Sequence, residues 1–130
     1  MAENCIFCKI IAGEIPSTTV YEDEDFKAIL DVNPAARGHV IILPKHHADD
    51  VFSLEDSQAE KIFPVAKKIA TALKKTYQCD GVNILQNNGE AAGQTVFHLH
   101  VHPRKTLLVS VLLFLLPDLQ SQPSFSLFYE

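Results

Sequence analysis

The chain has 130 residues, of which 47% are apolar and 21% charged, with a formal net charge of −5. That composition suits one globular domain with a single core. An acidic balance without a run of lysines or arginines excludes a binder of long nucleic acids. A small phosphate ligand stays open, because local donors decide that contact. Met1-Ala2-Glu3-Asn4 places no basic stretch before an apolar one, so no secretory leader is expected. The three cysteines, Cys5, Cys8 and Cys79, are an odd count. Without a leader they predict reduced thiols and a cytoplasmic protein, with the nucleus as a further location.

In chain order, residues 5–11 read as a short helix, since Ile6, Phe7, Ile10 and Ile11 recur at helical spacing. Gly13 ends it and Pro16 bars its resumption. Residues 18–22 and 26–30 read as two strands around the acidic turn Asp23-Glu24-Asp25. Asn33-Pro34 signals a turn. Residues 39–43 form a nearly continuous apolar strand closed by Pro44. Residues 59–77 are the main helix, with Ala59, Ile62, Phe63, Ala66, Ile69, Ala70 and Leu73 on one stripe. Ser53 with Asp56 is a weak cap signal. Pro64 should kink this helix or mark a late start. Residues 81–85 and 96–102 are two further strands, and the polar loop 87–93 between them ends on Gly93. The sum is an α+β domain over residues 1–105: a mostly antiparallel five-stranded sheet, a short N-terminal helix and one long helix. Residues 106–130 form an atypical apolar C-terminal tail. Its longest apolar run, 107–116, is about half of a membrane span, so no transmembrane segment is expected.

The six histidines fall in two groups, His39, His46 and His47, then His98, His100 and His102. On a strand, alternate side chains share a face, so the last three would sit together, about 6–7 Å apart in sequence neighbours, with Leu99 and Val101 turned to the core. Such a face could be a solvated patch or a histidine-only metal site. It also suits nucleophilic attack on phosphorus, because an imidazole is neutral and basic near pH 7 while a neighbour holds the phosphate oxygens. Cys5-x-x-Cys8 is half of a zinc-type ligand set, or simply two small residues on an apolar helix. Asp31 could be a turn carboxylate and Asn87 a left-handed turn residue.

The segment Gly93-Gln94-Thr95-Val96-Phe97-His98-Leu99-His100-Val101-His102 resembles the signature of the histidine-triad family, in particular its Hint-like branch of nucleoside phosphoramidate hydrolases. Cys5-Ile6-Phe7-Cys8-Lys9-Ile10 is similar to the family's opening helix. Leu30-Asp31-Val32 and Gly38-His39-Val40-Ile41-Ile42-Leu43-Pro44-Lys45 are similar to its nucleoside pocket and central strand. The resemblance implies that His100 is the nucleophile forming a nucleotidyl-histidine intermediate. It implies that His102 binds the α-phosphate, that His39 supports a charge relay and that Thr95 assists the leaving group. Asp31 would hold the ribose hydroxyls and Val32 the base. Asn87, His98 and the backbone N–H groups of Gly93, Gln94 and Thr95 would contact the nucleotide. By the same resemblance Cys5, Cys8, His47 and His98 would hold a structural zinc, His46 would stay in solvent, and two chains would join as a homodimer around a purine nucleotide substrate. The alternatives are a dinucleoside polyphosphate hydrolase and a nucleotide-binding scaffold with little turnover. Two departures stand out. Pro103-Arg104 follows His102 at once, as if two residues were deleted, and the resemblance stops at Lys105.

Overall fold

The computed structural model describes residues 4–31 and 38–106. The expectations for Val32 and for the apolar tail beyond residue 106 lie outside the described residues. The elements in order are α1 (Ile6–Ile11), β1 (Thr19–Glu22), β2 (Phe26–Leu30), β3 (Val40–Pro44), α2 (Asp56–Tyr77), β4 (Gly81–Leu85), a 3-10 turn (Glu90–Ala92) and β5 (His102–Thr106). Strands β1-β2-β3 form one antiparallel sheet and β4-β5 a second. An antiparallel bridge between Ile42 and Val101 joins them, giving the five strands expected.

Turn chemistry sets the first hairpin. Asp23 Oδ1 accepts the N–H groups of Asp25 and Phe26, an Asx-type turn that reverses the chain between β1 and β2. In the next pair Leu30 faces Val40, so Asp31 stands opposite His39, and the Asp31 N–H donates to the His39 carbonyl at 2.9 Å. Helix α1 is capped by Cys5, whose Sγ accepts from the Cys8 N–H, and Gly13 follows it at φ +81°. That left-handed conformation strains any residue with a Cβ.

Helix α2 begins at Asp56 and runs unbroken through Pro64, so the late start is excluded. Its N-cap is Glu55 with no side-chain cap; Ser53 instead turns back to the N–H groups of Asp49 and Asp50. Val65, Ala66, Ile69 and Leu73 pack with Phe26, Ala28, Val40, Ile42, Leu99 and Val101 as the main core. Ala59 and Phe63, expected on the buried stripe, face outward. A second cluster of Phe7, Ile10, Ile29 and Leu43 seats α1 on the opposite face of the sheet. Two-sided coverage explains why β3 reads as a continuous apolar run.

Residues 96–100 correct the strand expected over 96–102. Residues 96–98 make bends, 99 and 100 have no regular structure, and β5 starts only at His102. The reason is where their backbone bonds go. The Leu99 N–H donates to Ala48, beyond the end of β3, and Val101 exchanges both of its bonds with Ile42. Leu99 and Val101 are thereby held inward, 2% and 6% exposed, so the alternation survives without a continuous ladder. Pro103 lies inside β5 opposite Ile84 and is buried, so the chain crosses the expected deletion without leaving the sheet. Among the described residues no helix is long and apolar enough to cross a membrane.

Candidate active site and metal centre

Contacts among histidine, cysteine and aspartate side chains organise the site, and each proton position follows from its partner. A carbonyl or carboxylate oxygen can only accept, so the ring nitrogen facing it carries hydrogen.

His98 is fully buried, and its Nε2–H donates to the Pro44 carbonyl at 2.8 Å. Its Nδ1 therefore presents a lone pair. It lies 3.3 Å from Cys5 Sγ, 3.5 Å from Cys8 Sγ and 3.1 Å from His47 Nδ1. His47 repeats the arrangement: its Nε2 meets Asp49 Oδ1 at 2.7 Å, and its Nδ1 lies 3.3 Å from Cys8 Sγ. The four donor atoms all fall within 4.8 Å of one another. A tetrahedral ion with zinc's bond lengths needs N···N edges of about 3.3 Å and S···N edges of about 3.6 Å. The donor set fits such an ion in number, type and spacing. Both imidazoles also have the outer hydrogen-bond partner that metal-bound histidines use.

His100 is anchored differently. Its Nδ1–H donates to the carbonyl of His98 at 2.7 Å, so its Nε2 is the lone-pair nitrogen. The ring stands edge-on to Phe7, centroids 4.9 Å apart, and edge-on to His102 at 4.6 Å. On the far side of His102, a chain of two bonds leads to a carboxylate. His102 Nδ1 lies 2.8 Å from His39 Nε2, and His39 Nδ1 lies 2.9 Å from Asp31 Oδ2. Among the described residues, neither His100 Nε2 nor His102 Nε2 has a hydrogen-bond partner.

Burial governs the charge state of these rings. It pushes His102 down to about 4, helped by His100 and His39 nearby. It lowers His39 as well, with the Asp31 carboxylate opposing the shift. His100 is lowered by burial and partly restored by its bond to the His98 carbonyl. At neutral pH all three are therefore uncharged, which a nitrogen nucleophile requires.

The glycine-ended loop is a clamp. Gln94 is 2% exposed; its Oε1 accepts from the Gly89 N–H, and its Nε2 donates to the carbonyls of Asp49 and Val96. The Gly93 and Gln94 N–H groups donate to the carbonyls of Glu90 and Gly89. Of the three N–H groups expected in an anion cradle, those of Gly93 and Gln94 are therefore used inside the turn. Thr95 and Asn87 are exposed, and Asn87 Nδ2 lies 3.4 Å from where a Cβ on Gly93 would stand. His98 has both ring nitrogens turned into the protein, which favours its metal role over the nucleotide contact also expected. His46 is exposed. Sequence reasoning missed Phe7, Asp49 and the Pro44 carbonyl as supports of the site. It also missed the Asp31–His39 pair.

Three comparisons set this geometry among known proteins. A family model described as "HIT domain" matches residues 12–105. The protein named Protein hit of Bacillus subtilis is 50% identical over 101 residues, covering 78% of this chain and 70% of its own. An adenosine 5'-monophosphoramidase of Candida albicans is 44% identical over 108 residues, covering 78% of this chain and 71% of its own. Among solved structures, a HIT family protein of Bacillus anthracis matches with a TM-score of 0.78 at 48% identity, over 82% of this chain and 76% of that one. A zinc-bound histidine triad family protein of Mycobacterium smegmatis matches with a TM-score of 0.76 at 39% identity, over 81% and 76%.

Proposed function

The chain belongs to the HIT-domain family, and we propose that it hydrolyses a purine nucleoside phosphoramidate, or a related nucleotide, at the α-phosphate through His100. The observation that carries this reading is the bond from His100 Nδ1–H to the His98 carbonyl, which leaves Nε2 as a fixed lone pair. In the first step Nε2 forms a bond to phosphorus while the phosphorus–nitrogen bond of the substrate breaks. The leaving amine gains its proton from solvent, with the Thr95 hydroxyl assisting. In the second step water attacks phosphorus, the Nε2–phosphorus bond breaks, and the nucleoside monophosphate leaves with His100 neutral again. Each half-reaction replaces one leaving group on phosphorus, as covalent catalysis requires. The amidase named among the relatives supports this substrate class. By family resemblance His102 and Asn87 would meet the phosphate, and Asp31 and Val32 the nucleoside.

Cys5, Cys8, His47 and His98 would hold zinc as a structural ion. When bound, zinc cross-links α1 to the segment that carries His98. Their chemistry needs thiols kept reduced, which fits the cytoplasm. The groove lined by Ile62, Phe63, Ala66, Ile84, Leu99 and Val101 is the surface we assign to a homodimer contact. Phe63 is 64% exposed there, and Ile84 of β4 lines the same groove. Apolar area of this kind marks an association site. The test of the catalytic reading is turnover of adenosine phosphoramidate by the wild type and by His100→Ala. Loss of at least a hundredfold is expected, or about 2.7 kcal/mol of barrier.

A further inference from the structure

The carboxylate of Asp31 is expected, from family resemblance, to hold ribose hydroxyls, yet in the structure it faces a ring nitrogen. We infer that Asp31 is a positioning residue that sets the tautomer of His102 through His39. This deepens the proposed function and rests on it.

The argument needs only acceptor rules and register. Residues 31 and 39 stand opposite at the end of the β2–β3 hairpin, tied by the Asp31 N–H to His39 carbonyl bond. That pairing brings Asp31 Oδ2 to 2.9 Å from His39 Nδ1. A carboxylate accepts, so His39 carries its hydrogen on Nδ1 and offers a lone pair at Nε2. His102 Nδ1, 2.8 Å away, must then be the donor of that contact. A neutral imidazole has one hydrogen, so His102 Nε2 is left bare. The bridge from Ile42 to Val101 and the 4.6 Å ring contact keep His102 against His100. The bare nitrogen thus belongs to the ring beside the nucleophile.

This tautomer gives His102 a defined job in the second half-reaction. As water forms its bond to phosphorus and the phosphorus–Nε2 bond of His100 breaks, the water's proton goes to His102 Nε2. The resulting imidazolium is stabilised through His39 by the Asp31 charge, and the proton then passes to solvent. A residue that only held ribose would leave the His102 tautomer to chance. Removing the carboxylate removes the acceptor at His39 Nδ1. A free histidine side chain favours hydrogen on Nε2, so His39 would become the donor toward His102 and force the hydrogen of His102 onto Nε2.

The experiment is nitrogen-15 NMR of the histidine rings in the full chain at pH 7.5, paired with steady-state kinetics. Wild type should show His102 with its hydrogen on Nδ1, and Asp31→Ala should move it to Nε2, with Asp31→Glu restoring part of the original signal. Asp31→Ala should lower kcat at least tenfold, equally for adenosine and 2′-deoxyadenosine phosphoramidates. Added to His39→Ala it should cost less than a further twofold, since the relay is already cut. An Nε2–H tautomer in wild type overturns the inference, as does a His102 spectrum unmoved in a folded Asp31→Ala. A loss confined to KM of the ribonucleotide overturns it too, and returns Asp31 to the ribose. If wild type has no turnover at all, the proposed function fails, while the NMR arm still decides the tautomer.

Discussion

His100 donates its Nδ1 hydrogen to the carbonyl of His98, 2.7 Å away, while Nδ1 of the His98 ring meets two cysteines. One residue therefore orients the nucleophile with its backbone and anchors the metal ligands with its side chain. Whatever holds the His98 ring holds the nucleophile.

That coupling gives the first prediction. Protein prepared without a histidine tag should carry close to one zinc per chain by elemental analysis. Cys8→Ala should lose it. Asp49→Ala leaves all four ligands in place but removes the partner of His47 Nε2, so it should weaken zinc affinity by about 10- to 100-fold. Metal-free wild type would count against the centre.

Stability should depend on pH with a definite sign. His102 is held down to about 4 in the folded chain, against an ordinary value of 6.5, and His39 is lowered as well, both by burial. The unfolded chain therefore binds more protons than the folded one between roughly pH 6.5 and 4. Stability is fully present above 6.5 and falls as pH drops through this window. Urea midpoints should decrease accordingly, and His102→Asn should flatten the slope. An unchanged slope in that variant would assign the acid sensitivity elsewhere.

The loop clamp is testable on its own. Gln94→Ala leaves the Gly89 N–H and the carbonyls of Asp49 and Val96 without their partner in a buried place. The expected cost is about 1–3 kcal/mol of folding stability, read by chemical denaturation. A neutral substitution would show that water replaces the amide freely.

Oligomeric state follows from the groove beside Phe63. Wild type should sediment as two chains and Phe63→Glu as one, because a charge on that face must be desolvated to associate. A wild-type monomer would remove the proposed contact.

Much of this was legible in the sequence, for reasons that differ by element. The β2 bounds, β3 to within one residue, Gly13 and the inward turn of Leu99 and Val101 follow from apolar pattern and turn chemistry, which are local. The four metal-ligand positions came only from resemblance; spacing alone left Cys5 and Cys8 as two apolar helix residues. Residues 96–100 were read as strand because alternation reports which way side chains point, not where backbone hydrogen bonds end. Phe63 was read as core because a helical stripe does not say which of its neighbours is another element and which is open surface. Gln94 was expected, from resemblance, to offer its backbone N–H to the nucleotide, and nothing local in the sequence assigns its side chain. Its three bonds run to Gly89, Asp49 and Val96, and only the folded chain brings Asp49 near.

The central claim is that His100 Nε2 forms a bond to phosphorus. The most direct measurement is an acid quench of wild type during turnover of an adenosine phosphoramidate labelled at phosphorus, followed by mapping of the labelled peptide. Label should appear on His100 through an acid-sensitive bond, within the time of one turnover, and should be absent in His100→Ala, which should also lose at least a hundredfold in kcat. Active wild type that never carries label on His100, together with a His100→Ala variant that keeps more than about one per cent of turnover, a loss under about 2.7 kcal/mol, would contradict it.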